Sequence, residues 1–203
     1  MNFIEVNSRK TIREFHKVPK TIYKNDPHWV PHLIQDIEAV FDQKKNKFFR
    51  HGEAVRWILK DDNGLLIGRV AAFVYQKTAK SFKQPTGGMG FFECINDPKV
   101  AFALFDKCKA YLEKKGMEAM DGPINFGEKD KYWGLTIENF SLPAYYGQNY
   151  NPEYYVKFFE DYGFKVYYEQ FIFHRSVKDP LQEKYVQRAE RVAHNPKSSK
   201  NFT

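Results

Sequence analysis

The stretch Asn151–Phe173, NPEYYVKFFEDYGFKVYYEQFIF, holds a helix start, a helix stop and a β-forming run in succession. Asn151 is an N-cap residue type, and Pro152 suits the first helical position, where its missing N–H leaves no bond unmade. Tyr155, Phe158, Phe159 and Tyr162 recur at helical spacing, and Gly163 offers a left-handed stop. From Phe164 the residue types change. Val166, Tyr168, Phe171 and Phe173 are β-formers, with Lys165 and Glu169 between them, which predicts a half-exposed strand.

Working outward, two further pairs, Asp97-Pro98 and Asp179-Pro180, open runs of the same kind. Gly116 ends the first. In the second, Leu181, Tyr185, Ala189 and Val192 share one helical stripe, and Asn195–Lys200 reads as a linker. At the N-terminus, Phe3, Ile4 and Val6 predict a strand; Ser8 then caps a helix that carries Ile12 and Phe15 inward and that Pro19 interrupts. A second helix is predicted from near Pro31, with Leu33, Ile34, Ile37, Val40 and Phe41 as its buried stripe. Ala54–Leu59 and Leu65–Tyr75 flank Asp61-Asp62-Asn63-Gly64 and predict a hairpin. Pro85–Gly88 makes the next turn, Met89–Ile95 the next strand, and Glu118–Met120 another.

The chain of 203 residues suits one α/β domain over residues 1–178, followed by an amphipathic helix and tail over 179–203. Hydrophobic residues at 42% suffice for a core, and no apolar run approaches the roughly 20 residues a membrane-spanning helix needs. The first residues lack the apolar core of a secretory signal, so a cytoplasmic location is expected. Cys94 and Cys108 have no CxxC spacing and read as buried, reduced thiols. The net charge of +7 is scattered, with no basic helix, zinc-ligand pattern or RNA-binding strand signature, which argues against specific nucleic-acid binding. Its field attracts anions all the same. His28 and His32 have i, i+4 spacing, but Pro31 lies between them and no third ligand follows, so no metal site is expected.

The order β-α-α-β-β-β-α-β, closed by the α-β unit from Asn151, resembles that of the GNAT acyltransferase superfamily from Met1 to about Val177. The resemblance implies an α/β (α+β) fold: a mixed, mostly antiparallel central sheet flanked by helices, in the order β-α-α-β-β-β-α-β-α-β. It also implies transfer of an acyl group from acetyl-CoA or another acyl-CoA to an amine, on a small molecule or a peptide. In the family, a Gln/Arg-x-x-Gly-x-Gly/Ala turn after the strand matching Met89–Ile95 holds the coenzyme A pyrophosphate on backbone amides at a helix N-terminus. The candidate cofactor contacts are therefore Ile95, Asn96, Lys99, Val100 and Ala101.

This turn departs from the pattern: Asn96 replaces Gln or Arg, Lys99 replaces the central glycine, and Ala101 alone matches. Pro98 removes an amide donor, and Asp97, as a cap, sets a carboxylate where the diphosphate would sit. Like charges that close cost about 1 to 4 kcal/mol, of which Lys99 offsets part.

Many members carry a tyrosine four residues before the glycine of the Gly-Phe pair as general acid. Here that residue is Phe159, so Tyr155, one turn earlier, is the candidate. Glu93 is the candidate base, since burial among Phe91, Phe92 and Cys94 raises a carboxyl pKa. The segment Gly122–Gln148 has neither period and leaves the end of a central strand. Asn125, Trp133 and Tyr145 there are candidate substrate contacts; the alternative is a cover over a hydrophobic sheet face. Similar proteins include longer, two-lobed ones, for which the C-terminal helix would dock a second lobe or a second copy. Two functions stay open: an N-acyltransferase, and a catalytically inactive module of this fold that binds a ligand or a protein.

Overall fold

The computed structural model describes residues 1–81 and 83–194. The chain divides into two compact units, residues 1–166 and residues from 167 onward. In the first, β1 (Asn2–Glu5), β2 (Gly52–Lys60), β3 (Leu66–Tyr75), β4 (Thr86–Cys94) and β5 (Ala119–Asp121) form one sheet in chain order. The first three pairings are antiparallel and β4–β5 is parallel. The expected mixed, mostly antiparallel sheet flanked by helices is thus present.

Helices α1 (Arg9–Ile22) and α4 (Pro98–Lys114) cover the sheet, and side chains of β2 alternate between them. Trp57 and Leu59 pack with Leu104, Phe105 and Cys108 of α4, whereas Ile58 packs with Phe15 and Val18 of α1. That period of two puts one residue set on each face. Both cysteines are buried and free. Helix α2 (Ile34–Phe41) adds Ile37 to the α1 face; α3 (Gln76–Ala79) is a single turn; α5 (Tyr154–Tyr162) joins the α4 face through Tyr155, Phe158 and Phe159. No described helix is long and apolar enough to cross a membrane.

Five sequence expectations need correction. Helix α1 runs through Pro19 to Ile22 instead of stopping there. Pro19 is buried, and the one bond its ring forbids, to the Phe15 carbonyl, is replaced by another donor described below. Helix α2 begins at Ile34, and Leu33 and Ile34, expected in its buried stripe, are exposed. Strand β4 begins at Thr86, because Thr86–Gly88 pair with Ala119–Asp121. Helix α5 starts at Tyr154, not after Asn151, whose side chain is claimed elsewhere: Thr136 N–H donates to its Oδ1 (2.8 Å) and its Nδ2 donates to the Thr136 carbonyl (3.0 Å).

The fifth correction is the largest. Gly163 ends α5 at φ 106°, as expected, yet no strand follows it. A β-forming run becomes a strand only when its amides pair with another strand, and residues 164–173 have no strand pairing. Val166, Phe171, Ile172 and Phe173 are exposed, the last at 91%. In the second unit, α6 (Glu183–Ala193) starts later than Pro180, and Tyr185 and Val192 of its stripe are exposed. The expected linker from Asn195 lies outside the described residues.

On the α1 face, Arg56 (6% exposed) donates both Nη atoms to Glu38 (2.5 and 2.8 Å), and His16 Nε2 lies 2.7 Å from the same carboxylate. Burial pushes the Glu38 pKa up, but these bonds outweigh it and hold it at about 2. A carboxyl whose folded pKa is depressed contributes stability above its unfolded value of about 4.3, and that contribution is lost as pH falls towards the folded value. The urea midpoints of the native chain and Glu38→Gln are expected to differ at pH 7 and to converge between about pH 5 and 2. A gap independent of pH would remove Glu38 from the acid response.

Candidate functional site

Arg69 and Glu93 are direct cross-strand partners on β3 and β4, on the face that meets α1. Two residue steps on β3, from Arg69 to Ala71, span three on β4, from Glu93 to Gly90, so β4 bulges there. Phe91 within the bulge adopts φ 50°. Beyond it Ile95 N–H donates to the Ile67 carbonyl of β3, and by alternation the Cys94 N–H and C=O point away from β3.

Pro19 matters here. It has no N–H for the Phe15 carbonyl, and Arg69 Nη1 donates to that carbonyl instead (3.1 Å). Arg69 Nη2 reaches Glu93 Oε1 at 3.4 Å, the guanidinium lies 4.6 Å from the Phe15 ring, and Nε has no partner. Glu93 Oε2 accepts from Tyr23 (2.7 Å) and from Tyr155 (3.0 Å). Arg69 and Glu93 are only 3% and 8% exposed. Burial drives the Glu93 pKa up, with Arg69 and the two hydroxyls pulling the other way. Burial likewise pushes Tyr23 and Tyr155 well above the ordinary tyrosine value, so both remain neutral donors.

A cleft of about 30 Å³ opens over this pair. Trp29, His32, Ile37 and Tyr150 wall it, with Arg69 and Glu93 as its floor. Trp29 stacks on Tyr23 at 5.1 Å. Burial, helped by Arg69, lowers His32 to about 4, so it is neutral at pH 7.

The structure brings the two candidate catalytic residues, Glu93 and Tyr155, into one hydrogen-bonded group. Tyr155 is 2% exposed and its hydroxyl also accepts from Cys94 N–H (2.7 Å), which makes it a residue that positions the carboxylate and the strand edge. Tyr154 donates to the Cys94 carbonyl (3.0 Å). The candidate substrate contacts are not brought together at this cleft: Asn125 is buried with Oδ1 unpartnered, Trp133 lies 5.5 Å from the Lys129 ammonium, and Tyr145 is exposed. The cleft is bounded instead by Tyr150, Trp29 and Arg69, with Tyr23 stacked on Trp29. A lone arginine inside the apolar run LIGRVAAFVY was the available signal for Arg69.

At the turn, Asp97 caps α4 by accepting from Lys99 N–H (2.8 Å). Val100 and Ala101 are buried, and their amides donate to the Asp97 carbonyl. Ile95 N–H is in the sheet, and Asn96 and Lys99 side chains are exposed.

The parallel β4–β5 ladder covers Thr86–Gly88 against Ala119–Asp121, and beyond it Ile124 N–H still donates to the Met89 carbonyl (2.8 Å) just before the bulge. With the order β-α-α-β-β-β-α-β, interrupted only by the 3-10 turn Lys47–Arg50 and the single turn α3, this is the arrangement the sequence resembled. The fold is GNAT-like. No family model matches the chain. The protein YghO of Escherichia coli strain K12 is 28% identical over 136 residues, 67% of this chain. The match spans about a third (34%) of that relative's length. Among solved structures, an acetyltransferase of Trypanosoma brucei (11% identity, 86% of this chain and 99% of that one) has a TM-score of 0.48. The aminoglycoside antibiotic 6'-N-acetyltransferase AAC(6')-Ih of Acinetobacter baumannii (10% identity, 87% and 98%) has a TM-score of 0.49.

The residues of this GNAT-like chain do not fit a coenzyme A diphosphate at the family's turn. Pro98 has no N–H, the Lys99 amide holds Asp97, and the Val100 and Ala101 amides are inside the helix cap. The Cys94 N–H and C=O, beyond the β4–β5 ladder, are held by the two tyrosine hydroxyls of α5.

Proposed function

We propose that this domain transfers an acyl group to an amine, with Glu93 as the base. The observation that supports it is a buried carboxylate of raised pKa, oriented by two tyrosine hydroxyls and an arginine at the floor of a cleft. Tyr23 and Tyr155 fill Oε2, which leaves Oε1, weakly held by Arg69, as the oxygen that takes the proton of an entering ammonium. The neutral amine would then attack the acyl carbon of its donor; the carbon–nitrogen bond forms as the bond from that carbon to the donor's leaving group breaks, the surplus proton of the nitrogen goes to the departing group, and no role in that step falls to Phe159.

Replacing Glu93 by glutamine is expected to lower acyl transfer about 100-fold or more, assayed well below the melting midpoint of the variant. An unchanged rate would remove Glu93 from the mechanism.

A second reading, an inactive GNAT-like module that binds a ligand or a protein, is favoured by the bonds that occupy the turn and the strand edge. Calorimetric titration with acetyl-CoA and with free coenzyme A, at moderate salt to screen the basic surface, separates the two. Saturable micromolar binding supports an acyl-CoA donor and requires α5 to release Cys94. Absence of binding at millimolar ligand makes the module the better account.

A further inference from the structure

We propose that the end of the sheet formed by the start of β2 and the close of β3 is a docking surface for an anionic lipid bilayer. Residues 43–51 and 76–85 carry Lys44, Lys45, Lys47 and Arg50, and Lys77, Lys80 and Lys83, with no Asp or Glu in either run. The whole chain holds 32 Lys and Arg against 25 Asp and Glu, so outside these two runs the charges balance. Folding brings the two runs side by side. Gly52, which opens β2, pairs with Tyr75, which closes β3, and Gln76 N–H donates to the His51 carbonyl (2.8 Å). All of these lysines and Arg50 are exposed. Among the described residues Lys47 alone of the set pairs with a carboxylate, Glu128 at 3.8 Å, and the neighbouring Glu53 is taken by Lys115 (2.7 Å). Like charges gathered in this way repel one another, and a polyanion relieves the repulsion.

The chemistry of the surface selects the occupant. All but Arg50 are lysines, whose compact charge on a flexible stem meets phosphate from any direction, as fluid headgroups require; the planar fork of arginine suits the fixed phosphates and base edges of nucleic acid. The described rings at this end pack on one another, Phe48 on Tyr75 (4.6 Å) and Phe49 on Phe126 (4.9 Å), so they are not platforms for stacked bases. Clusters of roughly four to eight basic side chains suffice for attraction to an anionic bilayer, where each lysine raises partitioning about fivefold. Tyr75 lies about 20 Å along β3 from Arg69, at roughly 3.3 Å per residue, so docking and the Arg69–Glu93 cleft use different parts of the domain.

The test is cosedimentation of the full chain with large unilamellar vesicles of phosphatidylcholine, alone or with about 30% phosphatidylserine, at about 100 mM salt. Binding at least about 100-fold stronger to the anionic vesicles is expected, falling as salt rises. The variant Lys44→Gln/Lys45→Gln/Lys77→Gln/Lys80→Gln is expected to lower that binding at least about 30-fold. Lys10→Gln/Lys17→Gln/Lys24→Gln/Lys165→Gln, with the same loss of charge elsewhere, is expected to lower it less than about fivefold. Both sets are exposed, so the melting midpoints stay near that of the native chain. Equal losses in the two variants would overturn the proposal, because net charge and not this end would then attract the vesicles. Binding that ignores phosphatidylserine, or no binding to either vesicle, would overturn it as well. Duplex DNA bound more tightly than the anionic vesicles, per mole of phosphate, would assign the surface to nucleic acid instead.

Discussion

Arg69→Met is expected to lower the unfolding free energy by about 3 to 5 kcal/mol, the cost of leaving one member of a buried ion pair alone. The substitution preserves most of the side-chain volume, so packing contributes little. What is lost is the counter-charge of Glu93 and the donor to the Phe15 carbonyl, which Pro19 cannot supply. The double variant Arg69→Met/Glu93→Gln removes the stranded charge as well and is expected to regain about half of the loss. Urea denaturation of the native chain, Arg69→Met, Glu93→Gln and the double variant, with unchanged slopes, measures both numbers. A loss under about 0.5 kcal/mol for Arg69→Met would mean that water already reaches Glu93 and that the floor of the cleft is not desolvated.

Gly90→Ala is expected to cost about 3 kcal/mol or more, through overpacking that no rotamer change relieves. A Cβ built there lies 1.9 Å from the Ile124 carbonyl oxygen, a backbone atom fixed by its own residue's N–H bond to Met89 (2.8 Å). The start of the long connection from Gly122 therefore crosses β4 at van der Waals range. Gly64→Ala is the control: φ is 81° in an exposed turn with nothing within 4 Å, so the change costs about 1 kcal/mol of backbone strain. Equal losses at the two positions would show that the connection does not rest on β4.

The parts of the fold that could be read from the sequence are those whose signals are local. Ser8 caps α1, Asp61–Gly64 turns the hairpin, Asp97-Pro98 opens α4 and Gly163 closes α5. Glu93 could be placed on its strand for the same reason. What could not be read depended on distant atoms. Pro19 looked like a stop because the local rule counts one missing N–H, whereas the fold supplies Arg69 from a strand 50 residues on. Asn151 obeys the capping statistics in type, but Thr136 binds both ends of its amide. Tyr23 and Trp29 carry no motif, and only the packing of the α1–α2 connection against β4 shows their use.

The run after Gly163 has a consequence for the behaviour of the chain in solution. FKVYYEQFIF carries one lysine and one glutamate, hence no net charge, and presents Val166, Phe171, Ile172 and Phe173 to water without a ladder partner. Such a segment is a template for adding strands, and Lys165 and Glu169 are its only charged interruptions. Crowding during synthesis or concentration during purification is expected to bring copies of this run together. The run from Phe164 to Phe173 is accordingly expected to lower the concentration at which the chain stays dispersed.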